Sequence, residues 1–108
     1  MKQRIQKIVE ILDEKKAEEI QAIDMSEQDY IAKYVVLATS LHGRHAMALT
    51  DELKEQLKPL GENFLGVEAS DDWVVIDLGD ILIHILSAEH RAKYNIEELL
   101  SKLKTKQE

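Results

Sequence analysis

Apolar residues recur along this chain in two rhythms, one of three to four residues and one of two. The first appears at Ile5, Ile8, Val9 and Leu12, which lays a single apolar stripe on a helix from about Gln3 to Lys15. Ala46, Leu49, Leu53 and Leu57 repeat it in a second helix, with Ser40 as N-cap and Pro59-Leu60-Gly61 as stop and turn. Between them, Ile20 to Met25 is apolar at alternate positions and predicts a short first strand. Tyr34 to Thr39 is apolar almost throughout, the pattern of a central strand covered on both faces. The polar break at Ser26 to Asp29 separates the two, with Ser26 placed to cap one helical turn leading to Tyr30 and Ile31. Phe64 to Ala69 predicts a third strand, and Asp71-Asp72 breaks the pattern again. Near the end, Ser87 is a cap for a short helix through Tyr94, and Asn95 for another from Ile96 to about Leu103. Together these elements predict an α/β (α+β) fold, a mixed sheet of about five strands flanked by helices, in a single domain over residues 1–108 with frayed ends.

The rhythm of two is clearest from Trp73 to Leu86, WVVIDLGDILIHIL, which reads as two strands joined at Leu78-Gly79-Asp80. So tight a turn makes the pair antiparallel. Val74 and Ile76 then share one side of the first strand, while Trp73, Val75 and Asp77 share the other. In the second strand Ile81, Ile83 and Ile85 oppose Leu82, His84 and Leu86. One face is therefore purely aliphatic, whereas the other carries an indole, a carboxylate and an imidazole. Spacing alone leaves two readings of those three side chains, boundary residues of a small sheet or part of a working surface.

Composition narrows the second reading. The chain has no cysteine, which excludes a disulfide framework, a thiolate metal site and a cysteine nucleophile. No stretch approaches the roughly 20 apolar residues that cross a bilayer, and no apolar run opens the chain, so the expected compartment is the cytoplasm and no membrane is implied. Fourteen basic residues against 21 acidic give a net charge of −7, without a basic arm or stripe outside the chain ends. Such a chain is a poor candidate for gripping nucleic acid, because phosphate binding depends on clustered cations.

The Trp73 to Leu86 run closely resembles the W-x-x-x-D-x-G-D-x-x-x-H strand pair of the ribosomal silencing factor family, also called Iojap-like proteins. Other segments are similar in the same order: Lys15-Lys16-Ala17-Glu18-Glu19-Ile20, Tyr34 to Thr39, Arg44-His45, Lys58-Pro59-Leu60-Gly61, Gly66-Val67-Glu68, and Arg91 to Leu99. The resemblance extends from about Ile5 to Leu100. It departs at Lys33, where the family usually has Asp, at Ser40 and His42 in place of Gly and Ser, and at Leu100, where many members have Trp.

That resemblance implies a sheet domain similar in outline to the nucleotidyltransferase fold, and a protein that docks on a basic protein of the large ribosomal subunit, ribosomal protein number fourteen. Binding there blocks the small subunit and represses translation under nutrient limitation. An acidic chain suits a basic partner, with charge steering the encounter. The site it implies is Trp73 as apolar anchor with a donor, Val75 and Leu78 extending the patch, Asp77 and Asp80 facing cations, and Tyr94 with Glu97 as a second edge. Two further readings of the same face stay open: an assembly factor for the large subunit, and a symmetric homodimer.

The nucleotidyltransferase outline raises an enzyme as rival. Nucleotidyl transfer needs converging carboxylates on divalent cations and a backbone cradle for phosphate. There is no Gly-Ser followed by an Asp-x-Asp pair, and Ser40-Leu41-His42-Gly43 lacks a glycine pair. The expectation is therefore a protein that is not an enzyme and has no cofactor. His42 and His45 lie three apart at a helix start, but two imidazoles fall short of the four ligands of a structural zinc site, so no metal is expected. His84 is expected to hydrogen-bond within the sheet, where a neighbouring carboxylate would raise its pKa.

Overall fold

The computed structural model describes residues 2–27, 32–70 and 72–94. Helix α1, Lys2–Glu14, presents Ile8, Ile11 and Leu12 inward, so Ile11 completes the stripe in place of the expected Val9. Strands β1, Glu18–Asp24, and β2, Tyr34–Ser40, follow, then helix α2, Gly43–Leu57, which runs on into a 3₁₀ turn at Lys58–Leu60. Strands β3, Gly66–Ala69, β4, Trp73–Asp77, and β5, Ile81–Ser87, precede the short helix α3, Ala88–Tyr94. The turn expected around Tyr30 and Ile31, and the helix from Ile96, lie outside the described residues.

The five strands form one mixed sheet in the order β1-β2-β5-β4-β3. Among the described strands only β2 and β5 pair in parallel; the other three pairings are antiparallel. Helices α1 and α2 cover one face, where Val36 and Ala38 of β2, Val74 and Ile76 of β4, and Ile81, Ile83 and Ile85 of β5 meet Leu49, Leu53 and Leu57 of α2. The opposite face buries Val35, Leu37, Leu82 and Leu86 with Met25 and Ala32. Hence β2 and β5 are the two strands that bury side chains on both faces, which is why both read as nearly continuous apolar runs.

Ser40 does not cap α2. It is the last residue of β2, paired with Ser87, and the chain bends at Leu41 before His42, itself in an extended conformation (φ −166°), starts the helix. His42 takes over as N-cap, its Nδ1 accepting the His45 backbone N–H at 3.1 Å. At the other end Gly61, at φ +96°, closes the 3₁₀ turn by donating its N–H to the Lys58 carbonyl.

The β4–β5 hairpin is built as its alternation predicts, with Trp73 opposite Leu86 and Asp77 opposite Leu82. Gly79 sits at φ +92° in the turn and donates its N–H to Asp77 Oδ1 at 2.8 Å. Asp80 ties this turn to the rest of the fold twice over. Its carbonyl accepts the N–H groups of Lys33 and Tyr34 at the entry to β2. Its carboxylate accepts two hydrogen bonds from Arg4 of α1, at 2.6 and 2.9 Å, and the same guanidinium grips Glu62 beyond α2 through two bonds of 2.7 Å. One fork thus joins three segments far apart in sequence. Those bonds hold the Asp80 carboxyl below its ordinary value of 3.8. The contribution is therefore fully present above that value and is lost as pH falls through the native one.

Replacing Arg4 by Met should lower the unfolding free energy by about 1–2 kcal/mol at neutral pH, given its partial exposure. Denaturant titrations should find the deficit closing on acidification below 3.8, as the wild type loses the same contribution. The alternation makes a second prediction, because Leu78 is buried on the helix-covered side while Val75 is half-buried on the other. Leu78→Ala should cost about 2–4 kcal/mol and Val75→Ala about 1 kcal/mol; similar losses would contradict this placement.

Candidate functional site

On the face away from α1 and α2, the strand registers set side chains in rows. Glu68 of β3, Val75 of β4, His84 of β5 and Leu37 of β2 form one row. Trp73, Leu86 and Thr39 form the row beside it, and Asp77, Leu82 and Val35 the row on the other side. The β2 end of this face is buried, and α3 packs there, its Arg91 donating to Thr39 Oγ1 at 2.9 Å and to the carbonyl of Glu19. Towards β3 the face opens. Trp73, Val75 and Asp77 are half-buried, Glu68 is exposed, and a groove runs between Glu68, Ala69, Ser70, Trp73 and Val75.

Of the seven residues expected at the site, the sheet brings Trp73, Val75 and Asp77 together on this open side. Leu78 does not join them: it continues the alternation of Val74 and Ile76 on the helix-covered side, where it is only 6% exposed and packs in the main core. Asp80 does not face outward as a free acid either, since Arg4 occupies its carboxylate. Tyr94 ends α3, with its side chain outside the description, and Glu97 lies outside the described residues. Asp77 keeps one oxygen on the Gly79 N–H.

The indole N–H is not an open donor. Trp73 Nε1 donates to His84 Nδ1 at 3.1 Å, with the two rings inclined at 54°. His84 therefore does bond within the sheet, but to an indole instead of a carboxylate, and its pKa is lowered, because burial disfavours the imidazolium. Sequence reasoning missed this pairing and Glu68. Both are readable from register: His84 is the diagonal neighbour of Trp73 across the hairpin, and Glu68 lies opposite Val75.

His42 and His45 serve the backbone, whereas the ring of His90 lies near the side chains of Ser87 and Asp72. His45 Nδ1 accepts the Leu41 N–H at 2.9 Å, so its proton sits on Nε2, 2.6 Å from the Lys15 carbonyl. With His42 Nδ1 used as the helix cap, this pair joins β2, α2 and the end of α1 instead of opening towards an ion. No group of three metal-capable side chains occurs among the described residues, and no helix among them is long and apolar enough to cross a membrane. What the open face offers is an apolar centre of indole and valine flanked by two carboxylates, a surface suited to a protein with apolar and cationic groups.

A family model described as "Ribosomal silencing factor during starvation" matches residues 1–108. A Bacillus subtilis (strain 168) protein named ribosomal silencing factor RsfS is 33% identical over 89 residues, covering 81% of this chain and 75% of that one. A crystal structure of a Chromobacterium violaceum protein superposes with a TM-score of 0.85 at 30% identity, covering 92% of this chain and 85% of that one. More distantly, the mouse protein named "Mitochondrial assembly of ribosomal large subunit protein 1" is 27% identical over 100 residues, which are 88% of this chain and 44% of that protein. The family is named for a regulatory role and not for a reaction. With the whole of residues 1–108 matched and the five-stranded mixed sheet shared, this chain belongs to the ribosomal silencing factor family.

Proposed function

We propose that this protein is a translational repressor that docks through the open side of its sheet on a basic protein of the large ribosomal subunit and sterically keeps the small subunit from joining. As the family resemblance implies, the partner is ribosomal protein number fourteen, the setting is the cytoplasm and the condition is nutrient limitation. The observation that carries the reading is the half-buried Trp73, followed on the same face of β4 by Val75, with Glu68 opposite it, and then by Asp77, on the open side of an otherwise packed face. The indole supplies the large apolar contact typical of an interface anchor, and the acids complement a basic partner. A net charge of −7 argues against direct grip on ribosomal RNA. The action is occlusion, with no chemical step.

A second reading, assistance in assembling the large subunit, is favoured by the name of the mouse relative. Sedimentation with isolated large subunits, small subunits and joined ribosomes separates the two. Co-migration with large subunits and loss of joined particles supports silencing, binding without effect on joining supports assembly, and self-association alone supports a homodimer on the same face.

Trp73→Ala should weaken binding to large subunits by about 2 kcal/mol or more while the fold survives. Unfolding of that variant would make Trp73 a core residue and move the site elsewhere. Asp77→Lys should weaken the complex more at low salt than at high salt, since it exchanges attraction for repulsion. An unaltered salt response, read by the same sedimentation assay, would take Asp77 out of the interface.

A further inference from the structure

Trp73 stands directly opposite Leu86, yet its indole N–H reaches past that partner to the diagonal position and meets His84 Nδ1 at 3.1 Å. An imidazole nitrogen accepts a hydrogen bond only while it carries no proton. His84 must then be the neutral tautomer with its hydrogen on Nε2. Protonating Nδ1 would set N–H against N–H and abolish the bond. The surroundings favour the neutral ring: Val75 and Leu37 flank it in its row, and Leu82 and Leu86 lie on either side along β5. Beyond that apolar ring, the charged and titratable groups near this face among the described residues include Glu68 across Val75 on β3, Asp77 in the next row on β4, Arg91 of α3, which donates to Thr39 and Glu19, and His90 of α3, which lies 4.0 Å from Asp72 beside the Trp73 end of β4. On the β1 side the row ends at Gln21, an uncharged side chain.

We propose that His84 is the positioning residue of the Trp73 anchor: its neutral imidazole takes the indole N–H, fixes the indole against β5, and so presents the ring to the partner already ordered. The inference rests on the reading of this face as the docking surface. It assigns the indole N–H to the protein itself, which leaves Trp73 to bind through its apolar surface. A side chain ordered before binding loses less freedom on association. Because the bond needs an uncharged His84, acid loosens the anchor before it affects the rest of the face.

Trp73 is the chain's single tryptophan, so its indole N–H gives one resonance, and comparison with the His84 variants isolates the part that reports on this bond. That resonance is followed by proton–nitrogen correlation from about pH 8 to about pH 5 in the wild type, His84→Leu and His84→Asn. Affinity for purified large subunits is measured in parallel. In the wild type the resonance should move in one acid transition with a midpoint below 6.5, and the transition should vanish in both variants. At neutral pH, His84→Leu should bind large subunits about tenfold more weakly, the loss expected for a buried hydrogen bond. His84→Asn should recover most of the affinity, since its Oδ1 lies near the place of Nδ1. Should His84→Leu fail to fold, the equivalent test is acid loss of wild-type binding that is absent in His84→Asn. A resonance indifferent to His84 would overturn the proposal, as would a folded His84→Leu protein that binds as the wild type does. If the wild type binds no large subunit, the docking reading fails, and the resonance by itself decides whether His84 holds Trp73.

Discussion

The parallel pairing of β2 with β5, from Tyr34 opposite Ile81 to Ser40 opposite Ser87, is the constraint on which the other elements depend. Parallel strands cannot be joined by a tight turn, so the chain must travel through α2, β3 and β4 before β5 can pair. Both strands bury side chains above and below, which commits one face to α1 and α2 and gives the opposite face a core of its own. The remaining strands add on either side in antiparallel fashion, leaving β1 and β3 as edges. Each edge is kept irregular or short, β1 by a bulge between Glu18 and Gln21 and β3 by its four residues.

That division of labour explains why the candidate site sits where it does. Arg4 locks the hairpin turn to α1 and to the segment after α2, so the strands carrying Trp73 and His84 project from a braced element instead of a loose loop. A surface proposed to act by occlusion needs rigidity more than mobility. The same bracing explains why Asp80 is unsuited to a partner's cation: its carbonyl and carboxylate both hold the fold.

Much of this was legible in the sequence because sheet parity is strict. The alternation from Trp73 to Leu86 assigned every one of those strand residues to its correct face, and the near-continuous apolar run from Tyr34 predicted burial on both sides. Leu78 keeps the parity of Val74 and Ile76 and enters the core with them, so period-two counting places it there and not in the open patch. Parity fails where the chain leaves the strand: Asp80 has the parity of the open face, yet the turn brings it to Arg4. Ser40 was misread for a related reason: a serine before a helix resembles a cap, but pairing with Ser87 extends β2 through it. The Trp73–His84 bond and the place of Glu68 needed strand register, which a single sequence gives for the hairpin but not for β3. The proposed ribosomal partner comes from family resemblance, since no motif in the chain encodes it.

The central claim is that the Trp73 side of the sheet meets the large subunit. Its most direct test is a photo-crosslinking side chain placed at Val75 in one protein and at Met47, exposed on the opposite side in α2, in another. Each is irradiated with purified large subunits. The account predicts that the probe at position 75 captures one basic large-subunit protein while the probe at position 47 captures none. Capture from position 47 alone would contradict it and move the docking surface to the helices.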